Sequence, residues 1–135
     1  MEGTPMQTKN SAMEIGIYTF GDLGTDPLTG GMISPHQRLK EVMAAAELAD
    51  EAGLDIFGLG EHHRLDYTVS SPAVVLAAIA NNTKQIKLTS ATTVLSTIDP
   101  VRLFEDFATL DLMVEQKSLL DEGHSLSHSL YSDMN

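Results

Sequence analysis

From Glu14 onward, apolar residues fall into short runs alternating with longer amphipathic stretches. That alternation is the pattern of βα units laid on a parallel sheet. Ile15 to Phe20 predicts a first strand. Gly21 to Ile33 holds four glycines, a proline and two aspartates, which predicts a mobile surface loop with no packing of its own. Ser34 before Pro35 is a helix start, with serine as N-cap and proline in the first turn. The helix is expected to run to about Ala52, where Gly53 ends it. Its apolar stripe is Leu39, Val42, Met43, Ala46 and Ala49. Asp55 to Gly60 predicts a second strand and Glu61 to Ser71 the loop after it. Ser71-Pro72 repeats the Ser-Pro start. The helix from Pro72 to Asn82 is apolar nearly all round, as expected of one packed between a sheet and neighbouring helices. Ile86 to Leu95 is a third strand rich in β-branched residues, and Pro100 opens a third helix through Leu112.

Length and charge narrow the reading. With 135 residues and 42% hydrophobic content there is enough chain for one domain with a modest core. A closed eight-unit barrel needs about 250 residues. The predicted organisation is a flexible leader at 1–12, a βα domain at 13–112 and a tail at 113–135 whose serines, histidines and short apolar runs read as disordered or helical in part. A formal net charge of −11 argues against nucleic acid and anionic membrane surfaces as partners. The absence of cysteine removes disulfides, thiolate nucleophiles and cysteine-ligated metals. Together with a leader that lacks an apolar signal core, this fits a cytoplasmic protein.

Two strings of residues then become specific in combination. Glu61-His62-His63 directly follows the second strand, and Ala91-Thr92-Thr93-Val94-Leu95 leads into Asp99-Pro100-Val101-Arg102 with Glu105-Asp106. In this order, from Glu14 to about Leu112, the chain resembles the bacterial-luciferase-like, flavin-dependent monooxygenases. The resemblance implies an α/β fold: a partial TIM-type (β/α) barrel, about three βα units of eight, with parallel strands. It also implies an oxidoreductase using reduced FMN and oxygen on a small organic substrate such as an aldehyde. In the luciferases themselves, though not in all neighbouring members of the family, the position matched by His62 serves flavin–oxygen chemistry as an acid or base, so His62 is the expected catalytic residue. Glu61, His63, Ala91 and Thr92 are the expected cofactor contacts, with Ala91 and Thr92 where the flavin ring lies against the third strand, often over a strained backbone.

Each assignment has a plainer alternative. Active sites of parallel barrels sit at the C-terminal ends of strands, where Glu61, His62 and His63 fall. The histidine pair can equally cap the strand, one ring hydrogen-bonded inside and the other solvated. Ala91 and Thr92 can be strand residues facing a tight interior. Consecutive side chains at a strand end point to opposite sides, so His62 and His63 are not expected to grip one metal. A hydrolase built on Glu61, His62, His63 and Asp66 has the right residue types at unsuitable spacing. Arg102 and Glu105 are expected as exposed helix contacts, with a pair between Arg102 and the Glu61 region as the other option. Three strands leave two open edges beside an apolar inner face, which predicts self-association into a homo-oligomer. Against the enzyme stands a second class of function, a non-catalytic self-associating fragment or binding module.

In the resembling family the next segment supplies a Gly-Arg turn, a fourth strand and a Gly-Arg-Gly loop whose arginine meets the flavin phosphate. Residues 113–135 contain none of this, so the expected chain is truncated, with doubtful FMN binding and activity. Synonymous codons for Met113 to Asn135, read from the third base of the Met113 codon, permit the string GRTEIIAGRGSFTESFPLFGY. The expectation is a frame-shifted tail. Sequencing the coding DNA checks it: the shifted frame will carry those codons, and codons incompatible with that string sink the idea.

Overall fold

The structure, a computed structural model, describes residues 13–113. The expectations for the leader at 1–12 and for the tail beyond Met113 lie outside the described residues. Three strands, β1 (Gly16–Thr19), β2 (Ile56–Gly60) and β3 (Lys87–Thr92), alternate with three helices, α1 (Pro35–Glu51), α2 (Pro72–Asn82) and α3 (Pro100–Met113). The strands form one parallel sheet in the order β1-β2-β3.

Strand alternation splits the sheet into two faces. Phe57 and Leu59 of β2 and Leu88 of β3 point to the helix side, where they pack with Val42, Ala46 and Ala49 of α1, Leu76 and Ile79 of α2, and Phe107 and Leu110 of α3. The predicted stripe of α1 is the one that is buried, with Leu39 and Met43 packed at its margin. Ser34 caps α1 as expected, its hydroxyl accepting from the Gln37 N–H at 3.2 Å, and Gly53 ends it at φ +77°. Asp50, near the end of α1, accepts the backbone N–H groups of Lys84, Gln85 and Ile86 at 2.7 to 2.9 Å. One carboxylate thus fixes where β3 begins.

Five expectations are corrected. Gly21 to Ile33 is not a loop without packing. Asp26 accepts from the Leu28 N–H and the Thr29 hydroxyl, Thr25 bridges Met32, and Asp22 bridges Tyr67, so the segment folds back on itself and docks on the β2–α2 loop. β3 ends at Thr92 rather than Leu95, because the Val94 N–H donates to a carboxylate instead of a neighbouring strand. Ser71 occupies the N-cap position of α2 but makes no capping bond through its hydroxyl. α2 is not buried all round, since Val74 is exposed. The inner face is mixed rather than apolar: alternation places Tyr18 and Phe20, Gly58 and Gly60, and Lys87 and Thr89 there, and the Lys87 ammonium pairs with Glu14.

The inner face of β2 is bare at Gly58 and Gly60. A Cβ at Gly60 would lie 2.0 Å from the Phe20 ring, so that ring occupies the space a side chain would take. Gly60→Ala is therefore expected to destabilise the fold by about 1–3 kcal/mol through overpacking and to push Phe20 off the strand. Chemical denaturation measures the first effect, and loss of the ring-current shifts of Phe20's neighbours measures the second.

Candidate active site

The site is built where β2 and β3 end. The register slips there: between Gly58 and Gly60 on β2, β3 advances from Thr89 to Thr92, one residue more than β2 does. Such a bulge re-aims the side chains of the strand that carries it. Ala91 and Thr92 emerge from it exposed, at the mouth of the inner face. No cis peptide bond occurs among the described residues. A Cβ on Gly58 would meet Tyr18 Cβ at 3.0 Å and Ala91 Cβ at 3.1 Å. The mouth therefore has a floor of glycine and alanine, bordered by Tyr18 and Phe20.

Glu61 is the first residue beyond β2 and is 7% exposed. Its own N–H donates to the Thr92 carbonyl. One carboxylate oxygen accepts from the Val94 N–H at 3.0 Å; the other accepts from the Thr97 hydroxyl at 3.1 Å and lies 2.6 Å from His63 Nε2. Burial raises the pKa of this carboxyl, but the Val94 amide, the His63 ring and the Thr97 hydroxyl outweigh it, and the net shift is downward. Glu61 thus ties the end of β2 to the β3–α3 loop.

His62 turns the opposite way from its neighbours. Its ring stacks on Tyr67 with centroids 4.1 Å apart and planes 17° apart, and meets Phe20 edge-on at 4.7 Å and 79°. Phe20 in turn meets Tyr18 edge-on at 5.5 Å. The Nδ1 atom of His62 is buried with no hydrogen-bond partner. The backbone N–H of His62 donates to the Val69 carbonyl, which fixes the loop beneath the ring.

The structure therefore divides the predicted residues. Glu61 and His63 form one hydrogen-bonded unit with Thr97, His62 belongs to an aromatic column on the inner face, and Ala91 and Thr92 border its mouth. The strand-cap alternative had one ring bonded inside and the other solvated. Here it is the half-exposed His63 that bonds to Glu61, while His62 lies between rings. The set proposed for a metal hydrolase is not gathered: Arg64 engages Asp66 through two bonds of 2.9 and 2.7 Å, and no cluster of three or more ligating side chains occurs among the described residues. Arg102 pairs with Glu105 at 2.9 Å on the exposed face of α3 rather than with the Glu61 region. Sequence reasoning missed Phe20, Tyr67 and Thr97. Phe20 and Tyr67 sit at a strand end and in a turn-rich segment, where no periodicity marks a packed side chain. The signal that could have found Phe20 is the pair of glycines at 58 and 60, two residues apart on one strand face.

Because its folded-state pKa lies below the ordinary 4.5, Glu61 contributes stability that is present above pH 4.5 and is lost as pH falls through the depressed value. Glu61→Gln is expected to cost roughly 1–3 kcal/mol at neutral pH by leaving buried groups with weaker partners. Denaturant melts of both proteins across the acid range check this: the gap between them will close as pH falls below the ordinary carboxyl value and through the depressed one. A gap that stays constant with pH would mean that the charge of Glu61 does not hold the loop.

The fold and the family agree. Among solved structures, the FMN-bound oxygenating constituent of a 3,6-diketocamphane monooxygenase from Pseudomonas putida superposes with a TM-score of 0.65 at 22% identity, covering 86% of this chain and 32% of that one. The oxygenase component of a flavin-dependent trigonelline monooxygenase from Acinetobacter baylyi is 30% identical over 78 residues, 57% of this chain and 22% of that protein. The alkanal monooxygenase alpha chain of Photorhabdus laumondii is 33% identical over 76 residues, 56% of this chain and 21% of that protein. The matched region thus spans about a fifth of the length of these curated relatives. No helix among the described residues is long and apolar enough to cross a membrane. Residues 13–115 match the family of luciferase-like monooxygenases, and the chain belongs to it.

Proposed function

We propose that this chain carries the flavin-ring side of a luciferase-like monooxygenase site, with His62 as its catalytic residue. The observation that carries the reading is the bare mouth of the inner face. Gly58 and Ala91 form a shallow floor on which a Cβ at Gly58 would press on Tyr18 and Ala91 at 3.0 and 3.1 Å, Thr92 borders it, and Tyr18, Phe20 and His62 stand beside it. A planar ring system fits such a floor, since only small residues let a flat ligand approach the backbone. Relatives named as flavin-dependent and a neighbour in complex with FMN support the choice of ligand.

The phosphate end fits less well. Among the described residues, Arg38 pairs with Asp22, Arg64 with Asp66, Lys87 with Glu14 and Arg102 with Glu105. A dianionic phosphate would have to compete with those carboxylates. Reduced FMN, when bound, supplies the electrons that place one oxygen atom of dioxygen in an organic substrate and release the other as water. The chain's own residues have narrower tasks. Ala91 and Thr92 contact the ring, and Glu61 with His63 holds the β3 end and its adjoining loop in place to receive it. His62 gives or takes a proton at the ring's edge, a role open to an imidazole near neutral pH. The substrate is a small apolar organic molecule such as an aldehyde, and the site is cytoplasmic in character, with no nucleic acid or membrane partner.

A second reading, a non-catalytic self-associating module, is favoured by the outer edge of β1, which no strand among the described residues covers. Ile15, Ile17 and Tyr18 are 53%, 44% and 67% exposed along it, and an unpaired strand flanked by apolar side chains invites pairing with another copy. Self-association is compatible with the flavin site and would complete more of the barrel.

Titrating the chain with FMN and, separately, with riboflavin, while light scattering follows its mass, tests both readings. A ring-side site predicts that the two ligands bind comparably and more weakly than micromolar, with a mass above the monomer. Binding of FMN tighter than riboflavin by orders of magnitude would place a phosphate site within this chain. Failure of both ligands at millimolar concentration would leave the self-associating module.

A further inference from the structure

We propose that Tyr67 is a positioning residue for His62, holding the imidazole in one plane with its proton on Nε2 and its Nε2 tip presented to the ligand. The inference rests on the reading of His62 as the catalytic residue, and it assigns to Tyr67 a task carried out through His62.

The argument starts from the ring's surroundings. Tyr67 covers one face of His62 nearly parallel to it, and Phe20 meets the ring edge-on. An imidazole on a single exposed side chain samples several χ2 angles. Between these two rings it cannot leave its plane without giving up both aromatic contacts. Tyr67 is itself held. The Arg64 guanidinium lies 5.6 Å from its centroid and is fixed by two bonds to Asp66. The backbone around Tyr67 is laced to the β1–α1 segment: Leu23 N–H donates to the Asp66 carbonyl at 2.8 Å, Thr68 donates to the Gly21 carbonyl through its N–H at 2.9 Å and its hydroxyl at 2.8 Å, and Asp22 bridges Tyr67 itself. Phe20 is pressed against the bare backbone of Gly60. Both walls around His62 are therefore anchored from outside.

The nitrogens are not equivalent in this setting. Nδ1 is buried without a partner. A buried N–H with no acceptor is the rarer and costlier of the unsatisfied backbone or ring groups. A bare lone pair at Nδ1 therefore places the single proton of the neutral ring on Nε2. Holding the plane thus also selects which nitrogen faces the ligand and in what form.

The test uses the full chain with nitrogen-15 in its histidines, at a pH where the rings are neutral. In the wild-type protein the two nitrogen resonances of His62 will stand far apart, as for one pure tautomer with Nδ1 unprotonated, and its ring protons will be shifted upfield by the stacked tyrosine. In Tyr67→Leu the upfield shift will vanish and the two nitrogen resonances will move toward each other as the tautomers mix. Tyr67→Phe, which keeps the ring and loses the hydroxyl, will restore the wild-type pattern. The dispersion of the backbone amide resonances reports that the variant is folded. The proposal is overturned if His62 in the wild-type protein already averages its tautomers. It is equally overturned if Tyr67→Leu leaves them unchanged, or if Tyr67→Phe disturbs them as much as Tyr67→Leu does. None of these readouts requires flavin, so a chain that binds no flavin while His62 behaves as described separates the failure of the functional reading from the failure of this one.

Discussion

Two glycines on one face of the central strand decide most of what surrounds the candidate site. With no side chain at Gly58 or Gly60, β2 presents bare backbone to the interior, and side chains from β1 and the residue after it lie across it: a Cβ at Gly60 would lie 2.0 Å from the Phe20 ring, and one at Gly58 would press on the Tyr18 Cβ. A strand normally loses stability when it carries glycine, because the backbone is freer in the unfolded chain and no side chain packs in its place. Here the lost packing is returned by aromatic rings from the adjacent strand. Phe20 then fixes one edge of His62, and the floor between Gly58 and Ala91 stays shallow enough for a flat ligand.

The second constraint is the turn-about of direction at the strand's end. Glu61, His62 and His63 follow one another directly, so alternate side chains go to opposite sides. Glu61 and His63 meet each other and the Thr97 hydroxyl, while His62 swings to the inner face and into the aromatic column. The two functions this short string supports are separated by geometry alone. One half fastens the β3–α3 loop through a buried carboxylate; the other half offers an imidazole. A metal site would need both halves to converge, and the backbone of an extended segment forbids it.

Most of the architecture was legible in the sequence because it rests on periodicity and on turn chemistry. The boundaries of α2 and the stripe of α1 follow from where Pro, Ser and Gly stand and from the spacing of Leu39, Val42, Met43, Ala46 and Ala49. Errors gathered where side chains replace the backbone as hydrogen-bond partners. Val94 and Leu95 look like strand residues by their branching, yet the Val94 amide belongs to Glu61, and no local pattern announces a carboxylate thirty-three residues away. The glycine-rich stretch after β1 looks unable to pack, yet Asp26 organises its turn and Gly21 receives two bonds from Thr68. The candidate residues were reachable only through the resemblance. Spacing placed Glu61, His62 and His63 at a strand end but could not say which of them would face inward.

The lacing of the β1–α1 segment to the β2–α2 loop has a consequence for how such a site can vary among relatives. His62 is set from three different places in the chain: Phe20 just after β1, Tyr67 in the β2–α2 loop, and the backbone of Gly21 to Leu23 that is bonded to Tyr67's neighbours. None of these touches the hydrogen bonds through which Glu61 holds Val94 and Thr97. The imidazole can therefore be retuned by exchanging rings at 20 and 67 without disturbing the loop that borders the ring floor, and the floor can be reshaped at 91 and 92 without moving the imidazole. The column that sets the imidazole and the floor beside it thus answer to different sets of contacts, so each can change without the other.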